Sequence, residues 1–283
     1  GIGAQMVVSE EISVGTLVAL AAFVTRIYQP LTGLTNARVD LMTSMVSFER
    51  VFEVGPVFRA EPHATVRHLS EYVSLDVELG FIGSHLEVVE VVVRVLRAMV
   101  THLQAEYAEA LTLLGVTCPV IPSTVPLIEF EAAREMLAAA GQGPAEALDL
   151  APAQERWLGA WALREYGSDL LVVSGYPLAK RPFYTHPDPE RPHVTRSFDV
   201  LFRGTELVTG GQRLHRHAEV VAALQRSGLP TEPFSGYLEA FAHGMPPHGG
   251  FAIGLERFVT QLTGADNIRL ARAFPRDPQR TLP

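Results

Sequence analysis

An α+β fold is expected from three features of the chain. Segments of alternating apolar and charged residues recur, amphipathic stretches of helical period lie between them, and a glycine-rich string near the C-terminus runs straight into a helix. The 283 residues, 47% of them hydrophobic, suffice to fill one large core or two small ones, so a disordered chain is excluded. A net charge of −8 speaks against holding nucleic acid by bulk positive charge, although it leaves room for a local basic stripe. The single cysteine, Cys118, has no companion for an internal disulfide or a metal site, which fits a reducing, cytoplasmic compartment.

Residues 1–50 read as a helical segment. The run from Val14 to Val24 is almost wholly apolar, but Arg26, Gln29 and Pro30 interrupt it before the roughly 20 residues a bilayer span needs. Neither a membrane span nor a cleaved leader is expected. From Val51 to Glu78 the pattern predicts two strands joined by a long polar loop bearing Glu61, Pro62, His63, Arg67 and His68. Period two puts Arg59 and Glu61 on one face of the first strand. On the second it puts Tyr72, Ser74, Asp76 and Glu78 on one face and Val73, Leu75 and Val77 on the other. One face is apolar and the other carries chemistry.

Ser84, with Glu87 three residues on, predicts an N-cap opening a long helix to about Gly115. Residues 117–126, with three prolines, read as a connector, followed by a helix from about Phe130 to Ala140 that Gly141 ends. A further helix is expected from about Ala153 to Tyr166, with Trp157 and Trp161 packing on the core. LLVVSGYP reads as a buried strand and RPFYTHPDPERP as an irregular loop.

The stretch SFDVLFRGTELVTGGQR, from Ser197 to Arg213, is the second chemical centre. A two-residue turn at Arg203 and Gly204 would pair Leu201 with Glu206 and make Asp199 the diagonal neighbour of Glu206 on one face. Two converging carboxylates repel unless a cation lies between them, and hard oxygen ligands near phosphates suit magnesium. The alternative is that each pairs with an arginine such as Arg203 or Arg213. Thr209, Gly210 and Gly211 would let backbone approach a small ligand, and Arg213 could grip a carboxylate. Helices at about Ala218 to Arg226 and Phe234 to Met245 lead into PPHGGFAIGLERFV. There Gly249 and Gly250 precede a short strand, and Gly254 begins a helix with Glu256 and Arg257 in its first turn, a setting that favours phosphate.

FRAE, RHLSEY and LDVE resemble motif 2 of the class II aminoacyl-tRNA synthetases, in particular the aspartyl enzymes of archaeal type. GGFAIGLERF is similar to their motif 3, NIRLARAFPRD to their C-terminal end, and AKRPFYT, from Ala179 to Thr185, to a segment that in the family sits beside the amino-acid pocket. The resemblance covers about residues 51–283 and implies their catalytic core, an antiparallel sheet of about six strands flanked by helices. It implies an aspartate–tRNA ligase that forms aspartyl-adenylate from aspartate and ATP, with Mg2+, and transfers it to tRNA, working in the parent family as a homodimer. A relative of the asparagine synthetase kind, passing the adenylate to ammonia, shares these motifs.

Carried over by position, Arg59 holds the α-phosphate and the aspartate carboxylate, and Arg59 and Arg257 are the catalytic pair. Glu61 and the His68–Leu69 backbone take the adenosine end, Arg67 also contacts ATP, and Tyr72 stacks on adenine. Gly254, Leu255, Glu256 and Arg257 hold the far end of ATP. Asp199, Glu206 and Thr209 are the metal ligands, Glu206 also reaching ATP, and Thr209 and Arg213 contact aspartate. The text from Val14 to Val54 resembles the last transmembrane helix of ABC exporters with its cytoplasmic extension, although no GxxxxGK[ST] phosphate loop occurs. On that likeness a seam is expected near Phe48 to Val54, with no anticodon-binding domain before it and with aspartate ligation impaired.

Overall fold

A computed structural model describes residue 9 and residues 50–60, 65–144 and 147–280. The expected N-terminal helical segment and Glu61 lie outside the described residues. From Arg50 onward seven strands form one sheet in the order β1-β2-β7-β6-β5-β4-β3. These are β1 (Arg50–Phe58), β2 (Glu71–Gly80), β3 (Leu127–Glu129), β4 (Leu170–Ser174), β5 (Ser197–Phe202), β6 (Thr205–Gln212) and β7 (His248–Gly254). All neighbours are antiparallel except β3 and β4. The three-residue β3 is the strand that the count of about six misses. It is too short to show any periodicity.

Seven α-helices accompany the sheet among the described residues: α1 (His85–Glu106), α2 (Ala108–Leu113), α3 (Phe130–Ala139), α4 (Pro152–Tyr166), α5 (His217–Arg226), α6 (Ser235–Ala242) and α7 (Leu255–Thr263). The Ser84 side chain accepts the Leu86 amide, and Glu87 accepts the amides of Gly83 and Ser84, so α1 starts where the capping pattern predicts. The expected single helix to Gly115 is instead broken at Tyr107, whose φ of −127° leaves the helical region. Gly141 ends α3 with a φ of 69°.

Strand alternation divides the core in two. Val77, Phe198, Val200, Phe202, Val208, Phe251 and Ile253 point to the face that α1 covers with Val88, Val92, Leu96 and Val100. Leu171, Val173 and Leu201 point the other way, under α3 and α4, where Trp157 and Trp161 pack as expected. That second face is only partly covered by helices. Its uncovered part carries the polar residues of β2, β5, β6 and β7.

Candidate active site

The polar face is organised as rows across the strands. Asp76 pairs with Ala252, Ala252 with Thr209 and Thr209 with Asp199, so four strands contribute to one line perpendicular to the chain direction. A second row runs through Glu78, Gly250, Gly211 and Ser197. Tyr72, Ser74, Asp76 and Glu78 share this side, as period two requires.

The turn at Arg203 and Gly204 forms as predicted, with φ of 48° and 72°, and Leu201 pairs with Glu206. Leu207 is an extra residue: Val200 pairs with Val208, not with Leu207. The bulge moves the strand beyond it by one, so that Thr209 instead of Val208 faces Asp199. The diagonal Asp199 and Glu206 arrangement expected from a regular hairpin is therefore corrected by one residue. Glu206 stays on the site face, where its Oε1 accepts from Thr209 Oγ1 at 3.2 Å.

Two adjoining cavities open on this face and share Arg59, Tyr72, Glu206, Thr209 and Ala252. The first, about 150 Å³, is further lined by Arg67, His68, Leu69, Gly254, Glu256 and Arg257. It thus collects nearly every residue expected at the nucleotide end. Leu255 does not line it. Arg59 lies just past β1, not in it, where its amide extends the ladder to the Ser70 carbonyl at 2.8 Å. Among the described residues its guanidinium has no hydrogen-bond or ion-pair partner. Arg257, in the first turn of α7, donates to the Glu206 carbonyl at 2.9 Å and to Glu206 Oε1 at 3.4 Å. Arg67 is held at 2.7 Å by Glu155 of α4, whose same oxygen accepts the Glu206 amide at 2.9 Å.

The second cavity, about 680 Å³, adds Asp76, Glu78, Arg181, Tyr184 and Arg213. Arg213 Nη2 meets Glu78 Oε1 at 2.6 Å and lies over the Tyr184 ring, 5.0 Å from its centre. Burial opposes the Arg213 charge, but Glu78 outweighs it and holds its pKa above the ordinary value. The glycines beside it do not leave room for a ligand at their Cβ positions. A Cβ on Gly210 would stand 2.5 Å from the Phe198 ring, and one on Gly211 2.7 Å from the Arg196 carbonyl. They let strands approach each other, and both line the second cavity, where their backbone was expected to meet a small ligand.

Asp199 lies behind the cavities, 4% exposed. Its Oδ2 accepts from Arg181 at 2.8 Å, and Arg181 lies flat over the Tyr176 ring, 3.9 Å from its centre. Burial pushes the Asp199 carboxyl up to about 6, against the pull of Arg181 and with the Glu206 charge adding to the rise. Its Oδ1 is buried without a hydrogen-bond partner. Both carboxylates do pair with arginines, but with Arg181 and Arg257. The two named from sequence are engaged elsewhere, Arg203 by Asp169 and Arg213 by Glu78. Arg181 lies in AKRPFYT, the segment expected beside the amino-acid pocket, and it lines the second cavity with Tyr184. Tyr176 and Glu155 were not anticipated at the site. Their only signal was charge or aromatic character in apolar surroundings.

The chain matches the family model of class II tRNA synthetases (D, K and N) over residues 39–278. The match begins upstream of Val51, where the change in character was expected. It is 47% identical over 236 residues to the aspartate–tRNA(Asp/Asn) ligase of Thermus thermophilus, covering 83% of this chain and 55% of that protein. With the aspartate–tRNA(Asp) ligase of Pyrococcus abyssi it shares 36% identity over 86% of this chain and 55% of that one. Among solved structures, the aspartyl-tRNA synthetase of Entamoeba histolytica superposes with a TM-score of 0.80 at 34% identity, covering 86% of this chain and 50% of that one. The asparaginyl-tRNA synthetase of Pyrococcus horikoshii, complexed with asparaginyl-adenylate, superposes with a TM-score of 0.77 at 26% identity, covering 87% and 57%. The chain spans about half the length of the curated relatives it matches.

Proposed function

Because the chain belongs to the class II tRNA synthetase family of the D, K and N kind, we propose that residues 51–283 act as the catalytic domain of an aspartate–tRNA ligase. It joins aspartate to the α-phosphate of ATP, releases pyrophosphate and passes the aspartyl group to tRNA. A cytoplasmic location goes with that reading. The observation that carries it is the pair of joined cavities. Three arginines, Arg59, Arg67 and Arg257, line the first beside an aromatic ring, Tyr72, and the second ends at Arg213. A polyanion with a flat base suits the first, and a small acid suits the second.

In this reading Tyr72 stacks on adenine, with His68 and Leu69 framing it, and Arg257 at the N-terminus of α7 takes the terminal phosphates. Arg59, shared by both cavities, takes the α-phosphate and the carboxylate that attacks it. Holding both reactants against one guanidinium supplies proximity, and its charge stabilises the crowded phosphorus centre. Arg213 and Thr209 hold aspartate, and Glu78 keeps Arg213 in place. No side chain need act as a nucleophile.

Among the described residues no three His, Cys, Asp or Glu side chains converge into a metal cage. Magnesium, however, is commonly held by one or two carboxylates with phosphate oxygens completing its shell. The unpartnered Asp199 Oδ1, the Glu206 carboxylate and the Thr209 hydroxyl are oxygen donors of that kind and fit it. Once bound, the ion would offset negative charge on the phosphates. Among the described residues no helix is long and apolar enough to cross a membrane.

Calorimetric titration of ATP with magnesium tests the nucleotide half. Arg257→Ala should bind roughly 10- to 100-fold more weakly, since a charged contact contributes about 1.5 to 3 kcal/mol. Equal affinity would remove Arg257 from the site.

A further inference from the structure

The segment after α7 is tied to the first cavity by charged side chains that the roles above leave unused. Glu71, the first residue of β2, accepts from Arg272 through one oxygen and from Arg276 through the other, the latter at 2.7 Å. Arg272 Nη1 also donates to Glu256 Oε1 at 2.6 Å. Glu256, second residue of α7, is itself buried and accepts the Val73 amide with both oxygens, at 3.1 and 2.9 Å. Its carboxylate thus accepts from β2 and from the C-terminal segment at once. Glu256, expected among the ATP contacts, lines the first cavity while its oxygens accept from these protein donors.

The chain neighbours of these groups matter. Val73 follows Tyr72, and Glu256 precedes Arg257, so the bonds that Glu256 accepts from the Val73 amide and from Arg272 join two elements that both line the cavity. The same segment holds the end of the loop between β1 and β2. The Ser70 amide donates to the Arg276 carbonyl at 2.8 Å, the Ile268 amide to the Val66 carbonyl at 2.9 Å, and Arg269 Nη1 to the Thr65 carbonyl at 3.1 Å.

We propose that Arg272 is a positioning residue for the nucleotide site, its guanidinium bridging Glu71 and Glu256 so that Tyr72 and Arg257 keep the separation ATP requires. The inference rests on the nucleotide reading given above. Without Arg272 the buried Glu256 carboxylate loses the one cation it has among the described residues, while the half-buried Glu71 keeps Arg276, so the bridge from β2 to α7 through the guanidinium is gone. β2 and α7 would then separate. A lysine could neutralise one carboxylate but lacks the planar fork that spans both. Arg276, whose guanidinium pairs among the described residues with Glu71 alone, is the internal comparison.

The test titrates ATP with magnesium, and separately aspartate, into the full chain and into Arg272→Ala, Arg272→Lys and Arg276→Ala, at a temperature well below each melting point. Misplacement of about 1 Å can cost on the order of 100-fold, so Arg272→Ala should weaken ATP binding by about 10- to 100-fold. Arg272→Lys should fall between it and the unmodified chain, Arg276→Ala should stay within about threefold, and aspartate affinity should hold in all of them. If Arg272→Ala does not fold, Arg272→Lys carries the comparison. An unmodified chain that binds ATP while both Arg272 variants bind it equally well overturns the positioning role alone. Equal loss for ATP and aspartate reduces Arg272 to general stability and also overturns it. Absence of ATP binding in the unmodified chain overturns the nucleotide reading itself.

Discussion

Arg181 Nη2 stands 2.8 Å from Asp199 Oδ2, and this buried ion pair forms part of the wall behind the second cavity. Neither partner can be removed without leaving the other charge desolvated. Arg181→Ala should therefore cost about 3 to 5 kcal/mol in urea unfolding at neutral pH. At pH 5 the cost should be smaller, because Asp199 without its cation is more easily kept protonated. Arg181→Ala combined with Asp199→Asn should recover much of the loss. A double variant as unstable as the sum of the singles would show that the two side chains do not interact.

Asp199 also predicts a pH dependence that its asparagine variant lacks. The folded carboxyl is raised to about 6 from an ordinary 3.8, so its favourable contribution is complete below pH 4 and is lost as pH rises through 6. Relative to Asp199→Asn, the unmodified chain should lose roughly 3 kcal/mol between pH 4 and 7, at about 1.4 kcal/mol per unit. Unfolding with EDTA present checks this. A stability difference independent of pH would contradict it.

His85 works in the opposite sense. Burial first, and the Arg196 charge second, lower its pKa to about 4, and its Nε2 pairs with Ser174 Oγ at 2.9 Å. The ring is neutral in the fold, so stability is full above the ordinary 6.5 and falls as pH drops towards 4. His85→Gln should remove about 3 kcal/mol of that acid sensitivity. Equal acid curves for the two proteins would show that His85 does not titrate as the fold requires.

How far the fold was legible depends on how local each cause is. The polar face of β2, from Tyr72 to Glu78, follows from period two, and the pairing of Leu201 with Glu206 from the Arg203 and Gly204 turn. Both are set by neighbours in the chain. The Leu207 bulge was not legible, because one extra apolar residue among Leu207 and Val208 leaves no mark in the pattern. The pairing of Arg181 with Asp199 and the place of Glu155 were missed for another reason. Arg181 meets Asp199 across 18 residues and Glu155 meets Arg67 across 88, and only the assembled fold brings those partners within hydrogen-bond distance.

Two glycines of the final motif should separate folding from binding. A Cβ on Gly250 would stand 2.1 Å from the Val77 carbonyl, inside a central strand pair that has no room to open. Gly250→Ala should cost about 3 kcal/mol of stability. Gly254 has only the Arg257 Cβ within 4 Å, at 3.8 Å, so Gly254→Ala should unfold within about 1 kcal/mol of the unmodified chain while weakening ATP binding. Retained ATP affinity in Gly254→Ala would place the phosphates away from that backbone.

ATP–pyrophosphate exchange measures, without tRNA, the formation of an aminoacyl-adenylate from aspartate in the joined cavities. Exchange should depend on aspartate, should not be supported by asparagine or lysine, and should fall by at least about 100-fold in Arg59→Ala, where the guanidinium common to both cavities is lost. Exchange supported equally by the three amino acids, or unchanged in Arg59→Ala, would contradict it.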